Sequence, residues 1–200
     1  IVDLEKSREV ETIDYMSVGS MCCAYGHRLV YEDIIRNNVQ RAIIFEDDMF
    51  TNDLDEALLD NIVKHIPADA QFIYWGYTGG ILQPTHRSFA VRKASYLLKE
   101  NLGMLNGLKR QYNLNRACAP YNKYFDTACG QMGLYAYSVT LEAAKILVAN
   151  QTPVIYHSDR LPFHLINQGI IKNAYISVVQ PFTEERYSGR GANVSLIEVY

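Results

Sequence analysis

The chain reads as one α/β domain with a largely parallel sheet covered by helices on both sides, and three observations carry that reading. Helical and strand-like patterns alternate along most of the 200 residues, as βαβ units require. The strand-like run Ala42–Phe45 is continuously apolar, which suits a strand buried on both faces. A composition of 48% hydrophobic and 20% charged residues is that of a single compact domain with a sizeable core, here residues 1–200.

The elements follow in order. From Met21 to about Asn37, apolar residues at helical spacing (Leu29, Val30, Ile34, Ile35) predict a helix stopped by Asn37-Asn38. It leads directly into the strand Ala42–Phe45. Asp53 with Glu56 three residues on resembles a capping box, and Leu58, Leu59, Ile62, Val63 and Ile66 make the apolar face of a helix ending before Pro67. A second strand, Gln71–Trp75, closes at Gly76. Residues 77–133 are the least regular, with loops at Gly79-Gly80, Pro84 and Pro120 and a helix expected around Ala94–Leu108. The alternation in Gly133–Val139 predicts a strand, after which Thr140 caps a helix through Leu147. A short helix, Leu161–Asn167, ended by Gly169, leads into a last strand, Ala174–Val179.

Nineteen basic and twenty-two acidic residues give a net charge of -3, with no basic block to attract nucleic acid or an anionic membrane. No run of about 18 apolar residues predicts a membrane span. The expected compartment is the cytoplasm, or the ER/Golgi lumen if a signal lies outside this chain. The cysteines Cys22, Cys23, Cys118 and Cys129 form no CxxC pair and no zinc spacing, and they read as reduced and mostly buried. Asn150-Gln151-Thr152 and Asn193-Val194-Ser195 fit the N-glycosylation pattern.

The strand Ala42–Phe45 ends in three consecutive carboxylates, Glu46-Asp47-Asp48. In open α/β sheets ligands bind beyond the carboxyl ends of the strands, and this triplet sits at such an end. If the backbone stays extended, Glu46 and Asp48 point to one side and Asp47 to the other. Like charges about 4 Å apart repel by roughly 4 kcal/mol at an effective dielectric near 20, so joint burial requires a cation, a proton or basic partners. Nearby, only Arg41 offers a positive charge. A hard divalent ion, Mn²⁺ or Mg²⁺, would accept these oxygens and leave positions for phosphate oxygens. The alternative is a solvated turn in which the acids cap local backbone.

The order of motifs resembles glycosyltransferase family 25, which includes lipooligosaccharide and procollagen galactosyltransferases. Gly19-Ser20-Met21-Cys22-Cys23-Ala24-Tyr25-Gly26-His27 resembles the family's GEIGCALSH stretch, and Ile43-Ile44-Phe45-Glu46-Asp47-Asp48 follows one helix later as its ILEDD. Gly133-Leu134-Tyr135-Ala136-Tyr137-Ser138, with Ala144, Ile146 and Leu147, resembles the run ending in AYLIS, and Pro153 through Asp159 resembles a stretched PVD segment. The likeness covers roughly residues 19–190. Ser20, Cys22 and Gly26 depart from the family's Glu, Gly and Ser. Ile1–Arg8 has some character of the family's first strand, INLDRR, but lies close to Gly19, so either the nucleotide-binding part is expected to be abbreviated or incomplete, or that likeness is chance.

The resemblance implies a GT-A-like, Rossmann-type domain that moves galactose or glucose from a UDP-sugar to a hydroxyl of a glycan or hydroxylysine-type acceptor, with inversion and with Mn²⁺ or Mg²⁺. It implies Asp48 as metal ligand, Asp47 as donor contact and Glu46 in support. Asp159 is the preferred general base and Asp126 the second candidate; Asp159 equally suits the N-cap of the helix beginning near Leu161. His27 is a candidate donor contact or a packed core histidine, and His157 or His164 a further metal ligand. Trp75 and Tyr77 would stack on sugar or base, or belong to the core. Arg186 and Arg190, between glycines, would pair with the diphosphate or lie on the surface. Two other classes remain open: a metal-dependent phosphoester hydrolase or nucleotidyltransferase, and a sugar-nucleotide-binding protein without catalysis. Oligomeric state is not legible.

Overall fold

A computed structural model describes residues 16–52, 54–78, 86–104, 118–129 and 131–184. Asp53, Gly79-Gly80, Pro84, Arg186, Arg190, the Ile1–Arg8 stretch and the sequon at Asn193 lie outside them. Five helices are described: α1 (Val18–Arg36), α2 (Glu56–Lys64), α3 (His86–Asn101), α4 (Leu141–Asn150) and α5 (Arg160–Asn167). The strands are β1 (Arg41–Phe45), β2 (Met49–Thr51), β3 (Phe72–Thr78), β4 (Phe125–Thr127), β5 (Met132–Thr140), β6 (Ala174–Ser177) and β7 (Phe182–Glu184).

The main sheet has the order β1-β5-β3-β6-β4, and β2 pairs with β7 in a separate two-stranded ribbon. Here the expected largely parallel sheet is corrected. Only β3 and β6 run parallel; β1–β5, β5–β3 and β6–β4 are antiparallel. A strand covered on both faces reads as an apolar run whichever way it points, so β5, buried from Leu134 to Val139, carried no sign of its direction.

The sheet divides the core in two. On one side Phe72, Tyr74, Tyr137 and Val139 pack beneath α1, α4 and α5 through Tyr31, Ile34, Leu147 and Leu165. On the other, Ile73, Trp75, Phe125 and Tyr175 meet Ile62 of α2. The alternation Phe72/Tyr74 against Ile73/Trp75 is the period-2 rule of a strand with two buried faces. Gly76 does not close β3; the strand runs through it to Thr78, with register shifts on either side. A Cβ at Gly76 would collide with the Tyr135 ring and stand 2.9 Å from the Phe182 carbonyl oxygen, so only glycine lets these strands approach.

Caps set several boundaries. Ser17 accepts from Ser20 N at 3.1 Å to begin α1, and Thr140 accepts from Ala143 N at 3.3 Å to begin α4, as predicted. For α2 the cap is Asp55, accepting from Leu58 N at 2.6 Å, in place of the expected Asp53. α3 begins at His86, earlier than its apolar spacing suggested. It ends at Asn101 because Gly103 (φ 65°) lets the Met104 N–H reach back to the Lys99 carbonyl.

Two burial expectations are corrected as well. β1 is an edge strand: Ile43 is 55% and Phe45 45% exposed, and only Ile44 is buried. The buried stripe of α1 is Ser20, Ala24, His27, Tyr31 and Ile34, while Leu29 and Val30 face solvent. The cysteines are thiols with mixed exposure: Cys129 is buried, Cys23 and Cys118 are half-buried, and Cys22 is exposed. No helix among the described residues is long and apolar enough to cross a membrane.

Candidate active site

The acidic triplet leaves β1 in a turn. Glu46 N still donates to Tyr135 O at 2.9 Å, and Met49 N then folds back to Glu46 O at 3.4 Å. The extended alternation expected for the three acids is therefore broken, and they fan out around a cleft of about 400 Å³. Its lining joins the turn (Glu46, Asp47, Asp48) and the end of β1 to one side of α1, with Cys23, Gly26, His27 and Val30.

The basic partner that like-charge repulsion demands comes from α1. His27 Nε2 stands 3.1 Å from Glu46 Oε1, and its Nδ1 stands 2.6 Å from the Tyr137 hydroxyl, which in turn lies 2.9 Å from the Tyr31 hydroxyl. Burial opposes charge on the imidazole, but hydrogen bonds to Cys23 and Glu46 and their Coulombic attraction outweigh it and push the His27 pKa up to about 9. At neutral pH both ring nitrogens donate, Nε2–H to Glu46 and Nδ1–H to Tyr137, and the Tyr137 O–H donates to Tyr31. Burial pushes both tyrosines well above the ordinary phenol value, so the chain ends in neutral hydroxyls. Arg41, the cation nearest the triplet in the sequence, lies elsewhere: its guanidinium donates to Ala70 O at 2.7 Å.

With Glu46 Oε1 held by His27, the other acids that line the cleft are Asp47, which is exposed, and Asp48, whose Oδ1 is kept from solvent. Two carboxylates on an open cleft fit Mn²⁺ or Mg²⁺, which take oxygen donors and fill remaining positions with water or phosphate. A second cluster, Cys23, His27 and Glu46, has its ligand atoms within 4.8 Å of one another. A thiol and an imidazole are the wrong donors for those hard ions, so this cluster positions Glu46 instead.

Asp159 is brought to the same end of the sheet. It stands at the N-cap of α5, just before Arg160, yet its side chain makes no cap bond; Oδ2 accepts from Gly133 N at 3.2 Å, which replaces the capping role with an anchor on β5. Gly133 lies two residues before Tyr135, whose carbonyl accepts from Glu46 N, but Asp159 is not among the residues that line the cleft. Ser158 touches the cleft wall through Cys23, whose thiol donates to Ser158 Oγ at 3.4 Å.

Other predicted residues lie elsewhere. Asp126 sits on β4, at the opposite edge of the five-stranded sheet from β1, four strand spacings or about 19 Å across. Trp75 packs edge-on to Phe125 at 5.6 Å in the second core, and Tyr77 is buried with its hydroxyl 3.4 Å from Ser177 O, so neither lines the cleft. His164 packs against Tyr156 and Phe163, and burial with the nearby Arg160 lowers its pKa to about 4; it too is absent from the cleft lining. His157 is likewise lowered, first by burial. Residues that sequence reasoning missed are Tyr137, Tyr31 and Cys23. For Tyr31 the signal was the i, i+3, i+7, i+10 spacing of Ala24, His27, Tyr31 and Ile34, a buried helical stripe that a count of aliphatic residues overlooks.

No curated protein and no solved structure matches the chain. The family model described as Glycosyltransferase family 25 (LPS biosynthesis protein) matches residues 4–162. That span takes in α1, the acidic turn, β5 and the Asp159 anchor, and it covers well over half of the sequence. The chain belongs to glycosyltransferase family 25, and it is a glycosyltransferase.

Proposed function

We propose that this enzyme transfers a hexose, galactose or glucose, from a UDP-sugar to a hydroxyl of a glycan or hydroxylysine-type acceptor, with inversion at the anomeric carbon. The observation that carries the reading is the cleft lined by Asp47 and Asp48, in which His27 takes up Glu46 Oε1. Helices on both faces of the sheet and acids beyond a strand end support a GT-A-like, Rossmann-type arrangement. The family's printed description, LPS biosynthesis, favours a glycan as acceptor.

In this reading Asp48 and Asp47 hold Mn²⁺ or Mg²⁺ against the donor diphosphate. Such an ion, when bound, stabilises charge developing on the leaving group. The chain's own residues do the rest. His27 neutralises Glu46 and stiffens the acidic turn from within, so the two remaining carboxylates keep their places. Asp159, oriented by the Gly133 N–H, accepts the proton of the acceptor hydroxyl as the nucleophilic oxygen closes on the anomeric carbon. Asp126, at the far edge, has no part in this step.

Incubation with UDP-galactose or UDP-glucose, Mn²⁺ and a panel of glycan acceptors tests the reading by release of UDP. Turnover that disappears in Asp48→Asn and in Asp159→Asn, with folding intact by circular dichroism, supports it. Turnover undiminished in both variants, or no binding of any sugar nucleotide with or without Mn²⁺, would sink it.

A further inference from the structure

Away from the cleft, two thiols face each other across a hairpin. Residues 118–129 fold back on themselves: Tyr121 N donates to Phe125 O at 3.0 Å, Pro120 bridges Asp126, and Thr127 N donates to Ala119 O at 2.8 Å. Thr127 adds a side-chain rung, its Oγ1 accepting from Ala119 N at 3.0 Å. Continuing this pairing sets Cys118 opposite Ala128 and beside Cys129. Their Sγ atoms stand 2.9 Å apart, within an ångström of the disulfide bond length of about 2.0 Å. Gln131 Nε2 bridges both sulfurs, at 3.3 Å from Cys118 and 3.6 Å from Cys129.

We propose that Cys118 and Cys129 are a disulfide pair, formed by exchange with a small-molecule disulfide such as oxidised glutathione, and that the bond ties the base of this hairpin. The two cysteines have unequal roles in the exchange. Cys118 is half-buried and reachable, whereas Cys129 is buried. The neighbouring Cys129 thiol, against burial and with help from Gln131, holds Cys118 below the ordinary thiol value; hydrogen bonding to Cys118, then burial, holds Cys129 above it. The Cys118 thiolate attacks one sulfur of oxidised glutathione and expels one glutathione thiolate. Cys129 then loses its proton to solvent and attacks Cys118 Sγ in the mixed disulfide, expelling the second. Two protein thiols are oxidised, one glutathione disulfide is reduced to two thiols, and no other reactant is needed.

The bond would close the loop around β4, from Cys118 before it to Cys129 after it, on the approach to β5, whose Gly133 anchors Asp159. Its expected signature is stability, because linking residues 118 and 129 restricts the unfolded chain.

The full chain, equilibrated without denaturant in oxidised glutathione and then alkylated, tests this by peptide mapping and by thiol titration in denaturant. The expected result is a Cys118–Cys129 linked peptide, loss of two of the four thiols, and a Tm raised by roughly 4–10 °C relative to the reduced protein. Cys118→Ser, at the half-buried position where serine is tolerated, should fold, lack the linked peptide and show no Tm rise on oxidation. Both thiols still alkylated after equilibration, a persistent glutathione adduct on Cys118, or linkage of Cys22 or Cys23 to either residue would overturn the proposal.

Discussion

The two edges of the main sheet each carry a carboxylate, and they treat it in opposite ways. At β1 the acids stand beyond the strand end, where the chain has turned out of the ladder and α1 supplies a buried imidazolium to one of them. At β4 Asp126 lies within the strand, paired with Ile176 of β6, and burial raises its pKa with no cation among the causes. The first edge stabilises charge next to open space, as the proposed metal and diphosphate site would require; the second merely tolerates charge. A carboxylate's partners, more than its occurrence near a strand end, separate machinery from scaffold.

The largest effect that would sharpen this contrast is on turnover. Asp48→Asn should lower UDP-sugar turnover by about 10³-fold, or roughly 4 kcal/mol of transition-state stabilisation, while Asp126→Asn leaves kcat within about threefold. Comparable losses in both would erase the distinction between the edges. His27→Ala should come next: it opens a buried gap, strands Tyr137 and leaves Glu46 beside Asp47 and Asp48 with no counter-charge. About 3 kcal/mol of stability should disappear, measured by urea unfolding at pH 7.

A pH titration probes the same pair more gently. The folded His27 pKa, about 9, lies above the ordinary value of 6.5, so folding takes up a proton between these values. The stabilisation is therefore complete below about pH 6.5 and is lost as pH rises through 9, a fall of roughly 1–3 kcal/mol. The fall should be absent in His27→Gln; a wild-type profile equally flat would break the proposed ion pair. Tyr137→Phe, which removes the hydroxyl between His27 and Tyr31, should cost about 1 kcal/mol in the same assay. The smallest effect is expected at the other edge, where Asp126→Asn should change stability by less than about 0.5 kcal/mol at pH 7.

Much of this was legible beforehand because it is local. The Thr140 cap, the strand from Met132, the helix before β1 and the stop at Gly169 all follow from residues within a few positions of one another. So did the position of the acidic turn, one helix after Gly19–His27. The Asp55 cap was missed because Asp53 offered the same chemistry two residues earlier. Other features were hidden for a different reason. His27 and Tyr137 are 110 residues apart, and no periodicity in either segment announces that their side chains meet. Asp159 has the right residue type and place for an N-cap, and only the arrival of Gly133 on β5 gives its carboxylate another donor.

By itself the amino-acid sequence determined the family, the main helices and four of the seven described strands, and a cluster of carboxylates that had to find a cation. Those properties rest on side-chain periodicity, capping and the order of short motifs, all of which act along the chain. Tertiary structure decided the direction of the strands, the exposure of β1, the commitment of Glu46 to His27, the separation of Asp126 from the cleft and the turning of Asp159 toward Gly133. Each of these depends on which distant groups come within hydrogen-bonding range, and burial then sets the electrostatics. The answer to three adjacent negative charges is thus divided: one is met from inside by a histidine the core holds charged, and the other two line the cleft.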